Sequence, residues 1–147
     1  MATVERAIAI AAEAHTGQVD KAGQPYILHP LRVMLAQASD AARIVGVLHD
    51  VVEDTGYSLE DLRQEGFGNE VLEALEAVTH RGEETYEEFI QRSASAGSIA
   101  RSVKYADLLD NCDLTRITEP RQKDYDRIAK YRKMLNRYFN KDVASGL

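Results

Sequence analysis

The sequence predicts an all-α fold, and three observations support this prediction. Apolar residues recur three and four positions apart along most of the chain, as they do on the buried face of a helix. Cap and breaker residues divide this pattern into segments of helical length. The sequence contains no alternating run of β-branched residues bounded by turns. With 147 residues, 44% of them hydrophobic, the chain is expected to form one domain over residues 1–147, with a frayed tail after about residue 140.

Three helices are predicted before residue 56. Residues 4–14 are rich in alanine and carry apolar side chains at helical spacing. A polar loop with two glycines and a proline follows at residues 16–26, and loops of this kind often carry ligand contacts. Pro30 is suited to the first position of a second helix. Asp40 is expected to cap a third helix that runs from residue 41 to about residue 54.

Five more helices are predicted in the rest of the chain. The residues that start at Ser58 and at Thr85 have the spacing of a capping box, which predicts the starts of the fourth and sixth helices. The fifth helix is expected around residues 71–78 and the seventh from residue 98 to about residue 114. Pro120 is expected to start the last helix, whose tyrosines are spaced as a packing stripe.

Composition and charge disfavour several classes of function. The net charge of −6 disfavours a nucleic-acid-binding surface, which needs clustered Lys and Arg, but a small anionic ligand remains possible. Cys112 is the only cysteine, so neither a disulfide framework nor a thiolate zinc site is expected, and a reducing cytoplasm is the predicted compartment. No segment resembles a signal peptide or a membrane span, so we expect no membrane partner. The sequence leaves the oligomeric state open.

Residues 47–55 place one histidine and three carboxylates in an otherwise apolar run. In a continuous helix, His49 would lie above Glu53 and Asp50 above Asp54. The run contains no Lys or Arg, and three carboxylates repel one another unless a cation or shared protons neutralise them. A divalent metal bound by neutral imidazole and carboxylate explains the cluster most simply.

Two other segments offer similar groups, with His29 before this run and Asp107 after it. The order of a histidine, an adjacent His-Asp pair and a distant aspartate resembles the HD phosphohydrolase superfamily. Longer blocks, within a stretch from about residue 14 to residue 111, resemble the alarmone hydrolase domain of RelA/SpoT proteins and their stand-alone small hydrolase relatives. These blocks are residues 23–30, 48–55, 67–68, 78–79, 103–107 and Asn111.

This resemblance implies a compact, multi-helix HD-domain fold and a hydrolase that removes the 3′-pyrophosphate from guanosine tetra- or pentaphosphate. By position, it implies that the metal ligands are His29, His49, Asp50 and Asp107. Mn²⁺ is the usual ion of the family and suits such ligands, although zinc, iron and nickel also bind imidazole. The residues implied to position and deprotonate the attacking water are Glu53 and Asp54. The implied substrate contacts are Lys21, Tyr26, Asn111 and, ranked below Lys21, Lys104.

The sequence departs from the family's pattern in two places. Asp20 stands where many members have an arginine that stacks on the guanine base, and a carboxylate does not stack in this way. After Asn111, where an Arg-Thr pair is common, the chain has residues 112–114, Cys-Asp-Leu, and Asp110 adds a further acid. The alternatives left open are an adenosine alarmone, another phosphorylated nucleotide as substrate, or a nucleotide-binding HD module without turnover.

Three further residues of chemical interest are expected to have structural roles. His15 is expected to pack or to bind a neighbouring carbonyl. His80 is expected to face solvent or to balance a helix dipole. Cys112 lies beside the predicted site without a partner, so it is expected to fill the core and not to act as a nucleophile.

Overall fold

Nine helices make up the regular structure of residues 2–140, the part of the chain that the computed structural model describes. They are α1 (Val4–Ala14), α2 (Leu28–Leu35), α3 (Asp40–Leu48), α4 (Val51–Asp54), α5 (Leu59–Gln64), α6 (Asn69–Ala77), α7 (Tyr86–Ser95), α8 (Ser98–Asn111) and α9 (Gln122–Tyr138). Within this range the only β pairing is an isolated bridge between Val19 and Pro25. The all-α prediction is confirmed for these residues. The predicted frayed tail lies outside them.

Side-chain caps start several helices where the sequence indicated. Ser58 Oγ accepts from the Asp61 N–H at 3.0 Å, and Asp61 Oδ2 accepts from the Ser58 N–H at 2.8 Å. The same reciprocal pair occurs at Thr85, so both predicted capping boxes are present. The cap predicted for α3 is wrong by one position, because the side chain of Ser39 makes the capping hydrogen bond and Asp40 is the first helical residue.

The prolines do not occupy the predicted first helical positions. Pro30 is the third residue of α2, which begins at Leu28. A proline is tolerated there because the first N–H groups of a helix have no intrahelical acceptor. Pro120 lies two residues before Gln122, the first residue of α9.

The predicted seventh helix is also too long, since α8 ends at Asn111 and not near residue 114. Beyond its end, Asp113 Oδ1 accepts from the backbone N–H of Thr115 at 2.8 Å. An aspartate that bonds its own backbone two residues on stabilises a turn in competition with the helix. This turn leads the chain away from α8.

The predicted continuous helix over residues 41–54 is wrong. It is split into α3 and α4 at His49 and Asp50. His49 Nδ1 lies 2.6 Å from the carbonyl oxygen of Gly46, the group that would accept the Asp50 N–H in a continuous helix. A side chain that takes such a carbonyl interrupts the helical hydrogen-bond series. The break turns the His49 side chain into the core, where it is fully buried.

Two hydrophobic clusters form the core. The larger joins α1, α2, α3, α5, α6 and the start of α8, and the smaller joins α7, α9 and the end of α8. Helix α8 therefore belongs to both, through Val103 in the first cluster and Leu108 in the second. Helices α2 and α3 approach closely at Gly46, where a Cβ atom would lie 3.1 Å from the Met34 Cα. No helix within residues 2–140 has the length and apolar character needed to cross a bilayer.

Candidate metal centre and active site

Four polar side chains from three parts of the chain converge in the interior. His29 lies on α2, His49 and Asp50 lie between α3 and α4, and Asp107 lies on α8. His29 Nε2 is 3.0 Å from Asp107 Oδ1 and 3.7 Å from Asp50 Oδ2. His49 Nε2 is 3.0 Å from Asp50 Oδ2 and 3.5 Å from Asp107 Oδ1. The structure thus brings together all four predicted metal ligands.

The two imidazole rings are arranged to act as metal ligands. His29 Nδ1 lies 2.6 Å from Asp110 Oδ2, and His49 Nδ1 lies 2.6 Å from the Gly46 carbonyl oxygen. An oxygen acceptor at Nδ1 favours the tautomer that leaves the Nε2 lone pair free for a metal. His49 Nε2 is buried and makes no hydrogen bond of acceptable geometry with any residue in 2–140. Together with the nearby carboxylates, these rings fit a divalent cation.

Charge at the centre is balanced by Lys104. Its ammonium group donates to Asp107 Oδ2 at 2.8 Å, and its side chain is only 6% exposed. Burial acts to raise the pKa of Asp107, but Lys104 and the imidazoles outweigh it and hold that pKa well below its usual range. Lys104 was predicted to contact the substrate, with solvent as the alternative. The structure places it against a metal-ligand candidate and away from solvent.

Two other predicted substrate contacts also touch the candidate ligands. The Tyr26 hydroxyl donates to Asp50 Oδ2 at 2.5 Å. The Asn111 side-chain amide donates to Asp107 Oδ1 at 3.1 Å, one helical turn along α8. Both side chains also line the cavity described below, so each reaches from a carboxylate to the space that a ligand would occupy.

Glu53 and Asp54 lie beside the centre on α4, where they are exposed. One carboxylate oxygen from each lies within 4.8 Å of Asp50. Glu53 Oε1 accepts from the backbone N–H of His80 at 2.8 Å, which fixes its orientation. Partial desolvation and the negative charges of Asp50 and Glu53 raise the pKa of Asp54 to about 6. A carboxylate with this pKa is suited to accept a proton near neutral pH.

The turn that carries His80 is held by Arg92, a contact that the sequence did not reveal. Arg92 Nη2 donates to the Thr79 carbonyl oxygen at 2.8 Å, and the guanidinium also binds both carboxylate oxygens of Glu84. Hydrogen bonds from Arg92 lower the pKa of Glu84 to about 2. Since the turn supplies the N–H that binds Glu53, this ion pair indirectly supports the candidate base.

A cavity of about 500 Å³ lies beside His29. The basic residues that line it are Lys21, Arg32, Arg116 and Arg127. Asp20 also lies at its edge, where its Oδ1 accepts from the backbone N–H groups of Ala22 and Gln24 at 2.9 Å each. The carboxylate therefore shapes the loop in the place where the family commonly has a stacking arginine.

The residues with expected structural roles lie at the edge of the site. His15 caps the end of α1 and packs 5.1 Å from the Tyr26 ring, and its Nδ1 lies 2.7 Å from the Gln18 side-chain oxygen. Both contacts agree with the expectation that His15 packs or binds a neighbouring carbonyl. His80 is exposed, but its backbone N–H reaches Glu53. Cys112 packs against the smaller cluster, and burial raises the pKa of its thiol.

Comparison with known proteins identifies the family. The sequence model of the HD domain family matches residues 7–143. The chain belongs to the HD domain family. This confirms the superfamily resemblance seen in the sequence.

Two curated relatives of this HD domain illustrate the range of names in the family. One is a probable GTP pyrophosphokinase of Mycobacterium leprae, 36% identical over 137 residues that cover 82% of this chain and 17% of that protein. Another is a guanosine-3′,5′-bis(diphosphate) 3′-pyrophosphohydrolase of Aquifex aeolicus, 35% identical over 120 residues that cover 74% of this chain and 17% of that protein. The chain thus spans less than a fifth of the length of these relatives.

The HD domain is also similar to a solved structure described as a metazoan ortholog of SpoT that hydrolyzes ppGpp. The TM-score is 0.76 at 28% sequence identity, and the match covers 92% of this chain and 84% of that chain.

Proposed function

We propose that this HD domain is a metal-dependent hydrolase that removes the 3′-pyrophosphate from (p)ppGpp-type alarmone nucleotides. The observation that carries the proposal is the convergence of two imidazoles and two carboxylates next to Glu53 and Asp54, at the edge of a cavity with basic residues. The names of the hydrolase relatives and of the solved structure support the substrate class. The proposed unit is a single domain over residues 1–147, with the reducing cytoplasm as its predicted compartment.

The proposed cofactor is a divalent ion, Mn²⁺ by family resemblance, held by His29, His49, Asp50 and Asp107. When bound, such an ion stabilises negative charge that develops on phosphoryl oxygens and activates water. His49 Nε2 supports this assignment, because it is buried beside Asp50 and Asp107 without a hydrogen bond of acceptable geometry, so its lone pair is available to a metal.

The proton transfer is assigned to the two carboxylates of α4. Glu53, fixed by the His80 N–H, orients the attacking water. Asp54 accepts a proton from that water as the water oxygen forms a bond to phosphorus. The bond between phosphorus and the 3′ oxygen breaks, and the 3′ oxygen takes up a proton equivalent to the one that Asp54 accepted. The products are therefore pyrophosphate and a nucleotide with a 3′-hydroxyl group.

The substrate is proposed to lie in the cavity beside His29. Lys21 is exposed on its rim and supplies positive charge for phosphate groups. Tyr26 and Asn111 line the same cavity and are retained as proposed substrate contacts. Lys104 is instead proposed to act on the potential at Asp107.

Asp20 leaves a second candidate substrate open, an adenosine alarmone. Its carboxylate binds the backbone of its own loop, so no guanidinium is available there to stack on guanine. The two substrates differ at the base, whereas the proposed chemistry at phosphorus is the same.

Release of pyrophosphate from the two tetraphosphates tests both candidates. The purified protein is incubated with Mn²⁺ and either the guanosine or the adenosine 3′,5′-bis(diphosphate), with an Asp107→Asn variant as control for contaminating phosphatases. We expect pyrophosphate and GDP from the guanosine substrate and none from the variant. Release from the adenosine substrate alone would favour the second candidate, and release from neither would reject the function.

A further inference from the structure

Asp110 occupies a position between the candidate metal centre and the cavity. It lies on α8, three residues after Asp107 and therefore on the same side of the helix. Its side chain is 11% exposed. In the sequence it stands out only as a further acid near the predicted site. Its contacts indicate a specific one.

The first contact is with His29. Asp110 Oδ2 lies 2.6 Å from His29 Nδ1, while Asp107 Oδ1 lies 3.0 Å from His29 Nε2. Successive turns of α8 thus place a carboxylate oxygen beside each nitrogen of one imidazole ring. A carboxylate at the second ring nitrogen of a metal-bound histidine fixes the ring orientation and increases its basicity as a ligand.

The second set of contacts is with two arginines that line the cavity. Arg32 Nε donates to Asp110 Oδ1 at 2.7 Å, and Arg32 Nη2 donates to Asp110 Oδ2 at 3.1 Å. Arg116 Nη2 donates to the Asp110 backbone carbonyl at 3.0 Å and lies 3.4 Å from Oδ2. The two-point contact restrains both the carboxylate and the Arg32 guanidinium.

These contacts have a consequence for charge. An unpaired carboxylate at 11% exposure would be costly. Arg32 and Arg116 compensate it, so His29 gains a strong acceptor while the centre does not gain an uncompensated negative charge. The same interaction holds two guanidinium groups at the cavity, where the proposed substrate carries its phosphates.

We propose that Asp110 is a positioning residue that orients His29 for metal binding and is itself held in place by Arg32 and Arg116. The inference rests on the metal centre of the proposed function. It assigns to this chain a carboxylate–histidine pair behind the metal site, joined to the basic side of the cavity.

The test is the affinity of the metal-free protein for Mn²⁺, measured by calorimetry without nucleotide. We expect Asp110→Ala to bind Mn²⁺ about 10- to 100-fold more weakly than the wild type. Asp110→Asn should lose less, because its amide oxygen can still accept from His29 Nδ1. Arg32→Gln should also weaken binding, because it frees Asp110 without altering any group that touches His29.

Asp113→Asn is the matched control. Asp113 lies two residues beyond the end of α8, and its carboxylate is 2.8 Å from Arg116 Nη1. Its replacement removes the same charge from the same side of the cavity without altering a contact of His29. Mn²⁺ affinity should therefore stay within about twofold of the wild type, since Asp113 is exposed. Circular dichroism melting of each metal-free variant separates loss of affinity from loss of fold. If Asp110→Ala does not fold, the Mn²⁺ affinities of Asp110→Asn and Arg32→Gln test the inference instead.

The inference is overturned if folded Asp110 variants bind Mn²⁺ as tightly as the wild type, or if the control loses as much affinity as Asp110→Ala. A wild-type protein that binds no Mn²⁺ would overturn the metal centre and the proposed function together. Weaker binding by the Asp110 variants, with no pyrophosphate release by the wild type, would support the inference and reject only the substrate.

Discussion

At the residue scale, Asp54 carries a conflict between stability and chemistry. Its pKa of about 6 in the folded chain lies above the value near 3.9 expected for an unfolded aspartate. Ionisation of Asp54 therefore reduces the free energy of unfolding. This penalty is absent below about pH 4 and complete above about pH 6. At neutral pH the folded protein therefore holds Asp54 in the charged form that a general base requires, at a cost in stability.

Replacement of Asp54 by Asn should reveal both sides of this conflict. We expect pyrophosphate release to fall by about 100-fold or more, because a general base typically contributes that much. We also expect the metal-free variant to melt at a higher temperature than the wild type at pH 8, but not at pH 4. Asp126→Asn, an exposed change on α9, serves as control. Equal melting temperatures at pH 8 would contradict the assignment.

Four candidate ligands were predicted from their order in the sequence, through its resemblance to the HD superfamily: His29, His49, Asp50 and Asp107. The partners behind them were not predictable. Asp110 reaches His29 from 81 positions away, and that distance closes only when α2 and α8 pack together. The burial of Lys104 likewise depends on which face of α8 meets the core.

At the element scale, the packing of α2 on α3 sets the distance between His29 and His49, whose ring centroids are 5.1 Å apart. Gly46→Ala tests this packing. The new Cβ would lie 3.1 to 3.4 Å from three backbone atoms of α2, so the helix as a whole must move. Overpacking costs about 1–3 kcal/mol, against about 1 kcal/mol gained in helix propensity.

We therefore expect Gly46→Ala to lower the melting temperature and to weaken Mn²⁺ binding. Gly82→Ala is the control, because a Cβ atom there meets no atom within 4 Å among the described residues. Denaturant unfolding and Mn²⁺ titration measure the two effects. A Gly46 variant with unchanged metal affinity would show that α2 and α3 can separate without disturbing the centre.

The turn between α6 and α7 gives a prediction in acid. Glu84 has a pKa of about 2 when folded, below its value near 4.3 when unfolded. Its interaction with Arg92 therefore stabilises the fold above about pH 4 and is lost as the pH falls toward 2. Melting temperatures between pH 5 and pH 2 should fall less steeply for Glu84→Gln than for the wild type. Glu83→Gln, at the exposed neighbouring position, should follow the wild-type curve.

Helix starts were predictable where the cap is local, as at Ser58 and Thr85. The break between α3 and α4 was not, although all its residues are adjacent in sequence. Apolar residues keep their helical spacing through residues 47–52, so this spacing alone predicts one continuous helix. The contact of the His49 ring with the Gly46 carbonyl, which interrupts the helix, cannot be read from that spacing.

At the scale of the whole molecule, the candidate ligands join α2, the α3–α4 break and α8. A cation bound to the folded chain should therefore stabilise the entire fold. Mn²⁺ at 100 times its dissociation constant is expected to add about 2.7 kcal/mol to the free energy of unfolding. Thermal melting with and without Mn²⁺ measures this gain. Asp107→Asn should lose most of it, and an equal gain in that variant would place the ion elsewhere.

Both hydrophobic clusters meet on α8, which also carries Asp107 and Asp110. The sequence predicted the amphipathic helices but not which of them would be shared, since this depends on how the complete set packs. Because Leu108 of the smaller cluster directly follows Asp107 on α8, damage to that cluster is expected to displace this candidate ligand as well.

The buried ammonium of Lys104 also has a consequence for the metal-free protein. Because the protein supplies its own counter-ion to Asp107, burial of this carboxylate does not depend on a bound metal. Folding and metal binding can then be successive steps. A chelator should therefore remove the metal and leave a folded apoprotein that can bind the metal again.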